Sequence, residues 1–152
     1  MIEVVASTEI AASAETVWRV LTDLAHYSAW NPFIRNARGS LEVGGSVRVR
    51  VRPSLRIPLV FHATVLDRDE QHALRWRGHF GSEWLASGDH HFVIEPLGAH
   101  RVRFVQRERF DGWLPRIAPR LLERQTRRGF EAMNRELAAQ AERAEAAETR
   151  AS

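Results

Sequence analysis

Residues 119–148, PRLLERQTRRGFEAMNRELAAQAERAEAAE, are the stretch that decides the fold. Pro119 suits the first turn of a helix, because the N–H that proline lacks has no helical partner there. Charged residues, most of them arginine, are spread along one face of the pattern. The opposite face carries apolar or small residues at every third or fourth position, the spacing of a helix: Leu122, Thr126, Phe130, Met133, Leu137, Ala141 and Ala144. The pattern predicts a long amphipathic helix that covers another element.

The chain ahead of this helix is typical of an antiparallel sheet. Residues 46–52, SVRVRVR, place valines on one face and arginines on the other, as expected for a strand with one buried and one wet face. Similar patterns predict strands over 2–10, 34–43, 59–66, 73–80, 85–95 and 101–110, with a hairpin turn at Gly44-Gly45. Short connections favour antiparallel pairing. We therefore predict an α+β fold, a curved antiparallel sheet of about seven strands wrapped around the C-terminal helix.

Two short helices are predicted after the first strand. Ser13 suits a helix N-cap, and Glu15 favours the positive end of the helix dipole. This helix should end near Asp23. A second helical turn at 26–30 should end at Asn31-Pro32, because a residue before proline is steered away from helical backbone.

Length and composition limit the remaining possibilities. The 152 residues predict one domain, 1–152, with a core over about 2–142 and a frayed Ala/Glu-rich tail at 143–152. With no cysteine, the chain has neither disulfides nor thiolate metal ligands. No apolar run approaches membrane length, so we expect no membrane insertion and a cytoplasmic location. The net charge of +3 comes with 22 basic residues, all arginine, and does not by itself predict nucleic-acid binding.

Four motifs resemble one known family. Residues 10–34, IAASAETVWRVLTDLAHYSAWNPFI, are similar to the opening of the SRPBCC proteins, the START-like or Bet v 1-like superfamily, in its polyketide cyclase/dehydrase-like branch. Residues 88–97, GDHHFVIEPL, resemble that family's G-x-H-x-F-x-L-E-P strand. Residues 108–114 and 129–137, ERFDGWL and GFEAMNREL, resemble its closing strand and helix. The resemblance covers about residues 2–142.

The resemblance implies a helix-grip fold around a hydrophobic cavity. Members bind lipids, sterols, polyketides or plant hormones, and a minority catalyse cyclisation or dehydration of a bound polyketide. Because the superfamily shares a fold far more than a function, the resemblance alone does not choose between these roles. Geometry agrees with a cavity, since one helix about 10 Å across cannot fill the concavity of a twisted sheet.

Polar residues on apolar strand faces are the candidates for chemistry. His90 shares a face with Phe92, and Gln106 and Glu108 share a face with Phe110. A three-residue loop centred on Gly98 would place His90 opposite Gln106, and one centred on Ala99 would place it opposite Glu108. A buried His–Glu pair serves either as proton donor and acceptor or as an internal hydrogen bond. His90 and Glu108 are therefore the candidate catalytic residues, with the catalytic role unassigned.

Aromatic and apolar residues complete the candidate site. Trp18 is expected to pack in the core, whereas Trp30 and Trp76 suit either packing or ligand contact. Trp84 and Trp113 lie in expected loops and suit surface packing or a cavity rim. The full set of candidate ligand-binding residues is Trp30, Phe61, Trp76, His90, Phe92, Gln106, Glu108, Phe110, Phe130 and Met133.

Other chemistries have little support. The seven histidines show no metal-ligand spacing, so we expect no metal, and nothing indicates a cofactor. The outward arginine rows suit a solvated face, or else an electrostatic footprint for an acidic partner. We expect no nucleic-acid partner, because aromatic residues are not interleaved on that face. A monomer or homodimer is expected.

Three functions remain open. The favoured one is binding of a hydrophobic small molecule, lipid, sterol or polyketide-like, between the sheet and the C-terminal helix. The alternative is a polyketide aromatase/cyclase or dehydratase with His90 and Glu108 as proton carriers. The third is an interaction module that uses the arginine face. Whether the protein is an enzyme is left open, with a binding role favoured.

Overall fold

One antiparallel sheet and one long helix dominate the structure, a computed structural model that describes residues 1–52 and 57–152. Between the strands predicted at 46–52 and 59–66 the sequence predicts a loop at 53–58, which lies mostly outside the described residues. The strands are β1 Ile2–Ile10, β2 Ile34–Gly39, β3 Ser46–Val51, β4 Leu59–Asp69, β5 Ala73–Phe80, β6 Ala86–Gly98 and β7 Arg101–Asp111. The helices are α1 Ala14–Thr22, a 3-10 turn Leu24–His26, α2 Tyr27–Trp30, α3 Trp113–Ile117 and α4 Pro119–Ala151. Within the described residues, seven strands pair in the order β1-β7-β6-β5-β4-β3-β2. This confirms the predicted α+β helix-grip fold.

Helix α4 buries the face that its periodicity predicts. Its buried residues form one stripe: Thr126, Phe130, Met133, Asn134, Leu137 and Ala141. They pack on the concave face of the sheet, where the rings of Phe92 and Phe104 are also fully buried. The helix continues to Ala151, through the segment 143–152 for which a frayed tail is predicted.

Several element boundaries differ from the sequence prediction. β2 ends at Gly39 instead of residue 43, because Gly39 has a φ of +137° and a side chain there would meet the Ser46 carbonyl oxygen at 2.0 Å. β4 continues to Asp69, past a bulge between Val65 and Asp67 that resets its alternation. Helix α3 was not predicted, since it spans only Trp113–Ile117.

Asn31 explains how the chain turns from α2 into β2. Its side chain is fully buried, and its Oδ1 accepts hydrogen bonds from the backbone N–H groups of Phe33 at 3.0 Å and Ile34 at 2.8 Å. Pro32 has no N–H to offer, so the amide bridges the gap to the next two donors. The Asn-Pro pair thereby ends the helix, and the Phe33 side chain that follows is buried inside the fold.

Glu145 ties the far end of α4 to the start of α1. Ser13 caps α1 by accepting from the Thr16 backbone N–H, and the hydroxyl of Thr16 donates to Glu145 Oε1 at 2.9 Å. Burial raises the pKa of Glu145, but hydrogen bonds from His100, Thr16 and Ser13 outweigh it, so the pKa lies below the ordinary 4.5. The carboxylate also lies at the positive end of the α1 dipole.

Replacing Glu145 by glutamine should therefore weaken the fold in a pH-dependent way. A lowered folded-state pKa contributes stability above the unfolded value of 4.5, and that stability is lost as the pH falls through the folded value. We expect Glu145→Gln to lower the free energy of unfolding by about 1 kcal/mol at pH 7, with a smaller difference below about pH 4. Chemical denaturation at several pH values measures this. Glu148→Gln, which loses only an exposed pair with Arg19, should change stability by less than about 0.5 kcal/mol. A difference that stays constant down to pH 3 would contradict the argument.

Candidate functional site

The pairing of β6 with β7 brings the two candidate proton carriers together. His90 lies directly opposite Glu108, which confirms the register expected for a connection centred on Ala99. The connection itself differs from the expected three-residue loop. β6 runs to Gly98 and β7 starts at Arg101, and a bulge between Pro96 and Gly98 supplies the extra residue. The offset is the same, so both side chains point to the concave face.

A chain of hydrogen bonds runs from the sheet to α4 through His90. His90 Nδ1 lies 2.9 Å from Glu108 Oε2, and His90 Nε2 lies 3.0 Å from Gln106 Oε1. Gln106 Nε2 in turn donates to Asn134 Oδ1 at 2.7 Å. Gln106 and Asn134 are almost completely buried, and His90 is 4% exposed. Both predicted partners of His90 thus contact it, Glu108 directly across the strands and Gln106 diagonally.

With the Gln106 oxygen facing His90, hydrogen bonding sets how many protons the His–Glu pair holds. Because Gln106 presents an oxygen to His90 Nε2, that nitrogen must carry a hydrogen and donate it. His90 Nδ1 then either accepts a proton from a neutral Glu108 carboxyl or, in the imidazolium form, donates to the carboxylate. Either way the pair shares one mobile proton across 2.9 Å. Such a pair can both give and take a proton.

The series of hydrogen bonds from Glu108 to Asn134 can run in either donor-to-acceptor direction, depending on the orientation of the Asn134 amide. Its Nδ2 is buried and has no hydrogen-bond partner among the described residues. Rotation of the Asn134 and Gln106 amides by about 180° would let Asn134 Nδ2 donate to Gln106, and Gln106 Nε2 donate to His90 Nε2. His90 Nδ1–H would then donate to the Glu108 carboxylate. The two amide orientations thus place the hydrogen on different nitrogens of His90.

Gly88 makes room for the Glu108 carboxylate. A Cβ atom at position 88 would lie 2.2 Å from Glu108 Oε1 and 3.5 Å from the Phe110 ring. Because glycine lacks that atom, the carboxylate can lie flat over β6 and reach His90. The G-x-H spacing in the 88–97 motif thus has a physical reason, since Gly88 and His90 share a strand face.

The His–Glu pair forms one wall of an apolar cavity. The cavity has a volume of about 80 Å³ and lies between the ends of β2–β5 and the first turns of α4. Its walls are mostly apolar side chains: Phe33, Ile34, Val49, Val51, Leu59, Phe61, Ala63, Trp76, Phe110 and Leu122. Besides His90 and Glu108, the polar side chains at the cavity are Gln125 and Thr126. The remaining two lining residues are Gly78 and Gly88.

The structure divides the predicted ligand-binding residues into two groups. The first group lines the cavity: Phe61, Trp76, His90, Glu108 and Phe110. The second group lies elsewhere in the buried interior: Trp30, Phe92, Gln106, Phe130 and Met133. Phe92 and Phe130 support His90 directly, since their ring centroids lie 4.0 and 5.0 Å from the imidazole. Trp30 instead packs against Tyr27, edge to face at 5.3 Å. Members of the second group therefore do not border the cavity.

Sequence reasoning missed Asn134 and the helix side of the cavity. Asn134 lies four residues after Phe130 and three before Leu137, so helical spacing puts it on the buried stripe. His90 was singled out as a polar residue on an apolar strand face. The same criterion applied to the apolar face of α4 identifies Asn134. Phe33 and Leu122 had no such signal, because their position at the cavity depends on where α4 crosses the sheet.

Two further expectations concern Trp84 and Trp113. Their indole rings stack at 6.1 Å on the surface, 72% and 47% exposed. Neither lines the cavity described above, so the structure places them as an exposed pair at the β6–α3 corner.

Among the described residues, no cluster of three or more His, Asp or Glu side chains is placed to hold a metal ion. No helix in the described part of the chain combines the length and apolarity that crossing a membrane requires.

Comparison with protein families assigns the chain. Residues 1–142 match the model of the family described as polyketide cyclase / dehydrase and lipid transport. The chain belongs to this family. A comparison with curated protein sequences finds no match. Membership in the polyketide cyclase/dehydrase and lipid transport family confirms the resemblance inferred from the four sequence motifs.

Solved structures share the fold of this family member. The Zhui aromatase/cyclase from Streptomyces sp. R1128 is 21% identical with a TM-score of 0.80, over 93% of this chain and 94% of that chain. A START superfamily protein from Mycobacterium smegmatis is 22% identical with a TM-score of 0.75, over 93% and 97%. The norcoclaurine synthase of Thalictrum flavum, solved with a transition-state analogue, is 15% identical with a TM-score of 0.70, over 92% and 93%. At these identities the likeness shows the fold alone.

Proposed function

We propose that the protein binds a compact hydrophobic molecule that carries a carbonyl or hydroxyl group, in the cavity between the sheet and α4. The observation that supports this most is the composition of the cavity wall. Ten apolar side chains surround a space of about 80 Å³, and the His90–Glu108 pair borders it. Ligand pockets typically combine apolar walls with a few polar groups that fix orientation.

Cavity size narrows the class of ligand. A volume of about 80 Å³ exceeds the roughly 10–15 Å³ that one water needs, but lies below the roughly 300–1,000 Å³ of drug-sized pockets. Among lipid, sterol and polyketide-like ligands, a one- or two-ring polyketide-like fragment requires the least expansion of this space. A sterol or a full lipid chain requires the cavity to expand.

The polar wall explains how such a ligand is oriented. Burying a carbonyl or hydroxyl oxygen without a hydrogen bond costs about 1–3 kcal/mol in proteins. Both ring nitrogens of His90 contact protein partners. The Glu108 carboxyl therefore supplies the polar group on the sheet side of the cavity, as an acceptor when ionised and a donor when protonated. An apolar molecule without oxygen should therefore bind more weakly than its hydroxylated counterpart.

A second candidate function is an aromatase/cyclase or dehydratase. The observation that favours it is the 2.9 Å contact between His90 Nδ1 and Glu108 Oε2 at the cavity wall. In an aldol cyclisation, a base removes a proton from the carbon beside one carbonyl, and that carbon bonds to a second carbonyl carbon. The oxygen of the second carbonyl then takes up a proton from an acid. One shared proton between His90 and Glu108 suits both steps.

Filling the cavity tests the binding proposal. We expect 1-naphthol, which has an apolar body and one hydroxyl, to bind to the wild type in isothermal titration calorimetry. Ala63→Leu adds bulk to the cavity wall and should weaken this binding at least about tenfold, since the added methylenes occupy the ligand's space. Ala37→Leu, an equal change at a buried alanine that does not line the cavity, should leave affinity unchanged in folded protein. Absent binding to the wild type, or equal losses in both variants, would contradict the proposal.

A further inference from the structure

The outer face of the sheet is divided into two electrostatically different halves. Over β1, β6, β7 and the adjoining part of β5, arginines are paired with carboxylates. Arg75 contacts both oxygens of Asp89, at 2.9 and 2.6 Å, and this hydrogen-bonded contact holds the pKa of Asp89 below its ordinary value. Arg109 likewise contacts Glu3 at 2.7 Å, and Arg101 pairs with Glu9. This half of the face is an internally neutralised network.

Towards β2 and β3 the outward arginines Arg38 and Arg48 have no carboxylate partner among the described residues. Arg38 lies directly opposite Arg48 across the β2–β3 pair, and neither forms an ion pair with a carboxylate in the described part of the chain. Like charges opposed across two strands are unfavourable. The fold nevertheless presents both guanidinium groups to the outside, where both residues are exposed. An anion between them would convert the repulsion into attraction.

The row continues across the sheet as a line of donors. His62 pairs with Arg48, and His79 pairs with His62, so Arg38, Arg48, His62 and His79 stand side by side on β2, β3, β4 and β5. Three spacings of about 4.8 Å give the row a length of about 14 Å. Arg77 extends it, since it lies opposite Thr64 one pleat further along. These residues line a groove of about 510 Å³ in which Glu83 is the one carboxylate among the described lining residues.

We propose that this groove binds a small polyanion with two or more phosphate groups. A guanidinium group offers paired N–H donors that match two phosphate oxygens. Arg38 and Arg48 would hold one phosphate group and Arg77 another, with His62 and His79 donating between them. A single phosphate is too short for a row of about 14 Å, whereas a linked polyphosphate spans it.

A nucleic-acid partner is less consistent with this surface. Strand-binding grooves combine a positive track with aromatic side chains on which bases stack. In the described residues, no aromatic ring other than the two imidazoles lines the groove. The positive track also stops at β6, where Asp89 and Glu95 neutralise Arg75 and Arg103. The basic surface is therefore confined to a patch that fits a small molecule.

Inorganic tripolyphosphate is the probe for this proposal. We expect it to bind to the wild-type protein in isothermal titration calorimetry at low ionic strength. Arg38→Gln combined with Arg48→Gln should weaken binding at least about tenfold, because two charge-assisted contacts are lost. The control is Arg101→Gln combined with Arg103→Gln, which removes the same charge from the neutralised half and should change affinity by less than about threefold. All four residues are exposed, so the fold should persist, and Arg77→Gln provides an independent variant.

Four results would overturn the proposal. One is the absence of tripolyphosphate binding by the wild type at about 1 mM, since a dedicated site exceeds that affinity. Another is an equal loss in the two double variants, which would show an effect of net charge alone. A third is equally tight binding of sulfate at matched ionic strength. The last is a single-stranded oligonucleotide that displaces tripolyphosphate and binds more tightly, which would assign the groove to nucleic acid.

Discussion

Gly129→Ala is expected to destabilise the protein by about 1–3 kcal/mol, although alanine is the better helix former by about 1 kcal/mol. Gly129 lies on α4 where the helix passes over Phe33, and a Cβ atom there would lie 2.1–2.8 Å from three carbons of the Phe33 ring. The ring has little freedom to move, because it is 7% exposed and packs edge to face on Phe130 at 5.7 Å. The clash should outweigh the gain in helix propensity. Chemical denaturation of the wild type and the variant measures the difference.

The control for this prediction is a double-mutant cycle with Phe33→Ala. Removing the ring removes the clash, so Gly129→Ala in that background should be neutral or stabilising by up to about 1 kcal/mol. The coupling between the two positions should then be about 1–4 kcal/mol. If Gly129→Ala has the same effect in both backgrounds, close contact with Phe33 is not the reason for the glycine.

His90→Ala and Glu108→Gln are expected to lower turnover by about 10²–10⁴-fold if the protein cyclises a polyketide-like substrate. Each change removes one holder of the shared proton while leaving the apolar walls of the cavity in place. Affinity for 1-naphthol should change by less than about tenfold, because one hydrogen bond contributes little net binding energy. Cyclisation of a linear poly-β-ketone thioester, followed spectroscopically, provides the rate, and calorimetry provides the affinity.

His91→Ala is the matched control for His90→Ala. His91 is the next residue on β6, faces outward and contacts Asp89 at 3.2 Å, so both turnover and affinity should stay near the wild-type values. A loss of turnover that merely parallels the loss of affinity would favour the binding function over the enzyme. If the wild type shows no turnover at all, the cyclase candidate is abandoned and the binding proposal stands on the cavity experiment.

Local patterns were sufficient to predict which side chains share a face. Alternation along β6 and β7 placed His90, Gln106 and Glu108 on the concave side, and the short connection near Ala99 limited their registers to two. One of these, His90 opposite Glu108, is the observed pairing. Helical spacing likewise predicted the buried stripe of α4.

The same patterns could not place the cavity. Trp30 and Phe61 were both candidates for ligand contact, yet Trp30 packs on Tyr27 while Phe61 borders the cavity. The difference depends on the path of α4 over the sheet, which the contact between Gly129 and Phe33 helps to set. Contacts of this kind join residues far apart in the chain, so no local periodicity contains them.

The sequence by itself determined the strands, the amphipathic helix and the inward faces of His90, Gln106 and Glu108, because the periods of 2.0 and 3.6 residues are properties of the local backbone. The tertiary structure decided which part of the concavity stays empty, and it joined Gln106 to Asn134 across 2.7 Å. It also decided that Arg38 and Arg48 have no carboxylate partner among the described residues, whereas Arg75 contacts Asp89. The empty volume between elements depends on three-dimensional packing, and so does the pairing of charges on neighbouring strands. In both cases a side chain's neighbours come from distant parts of the sequence.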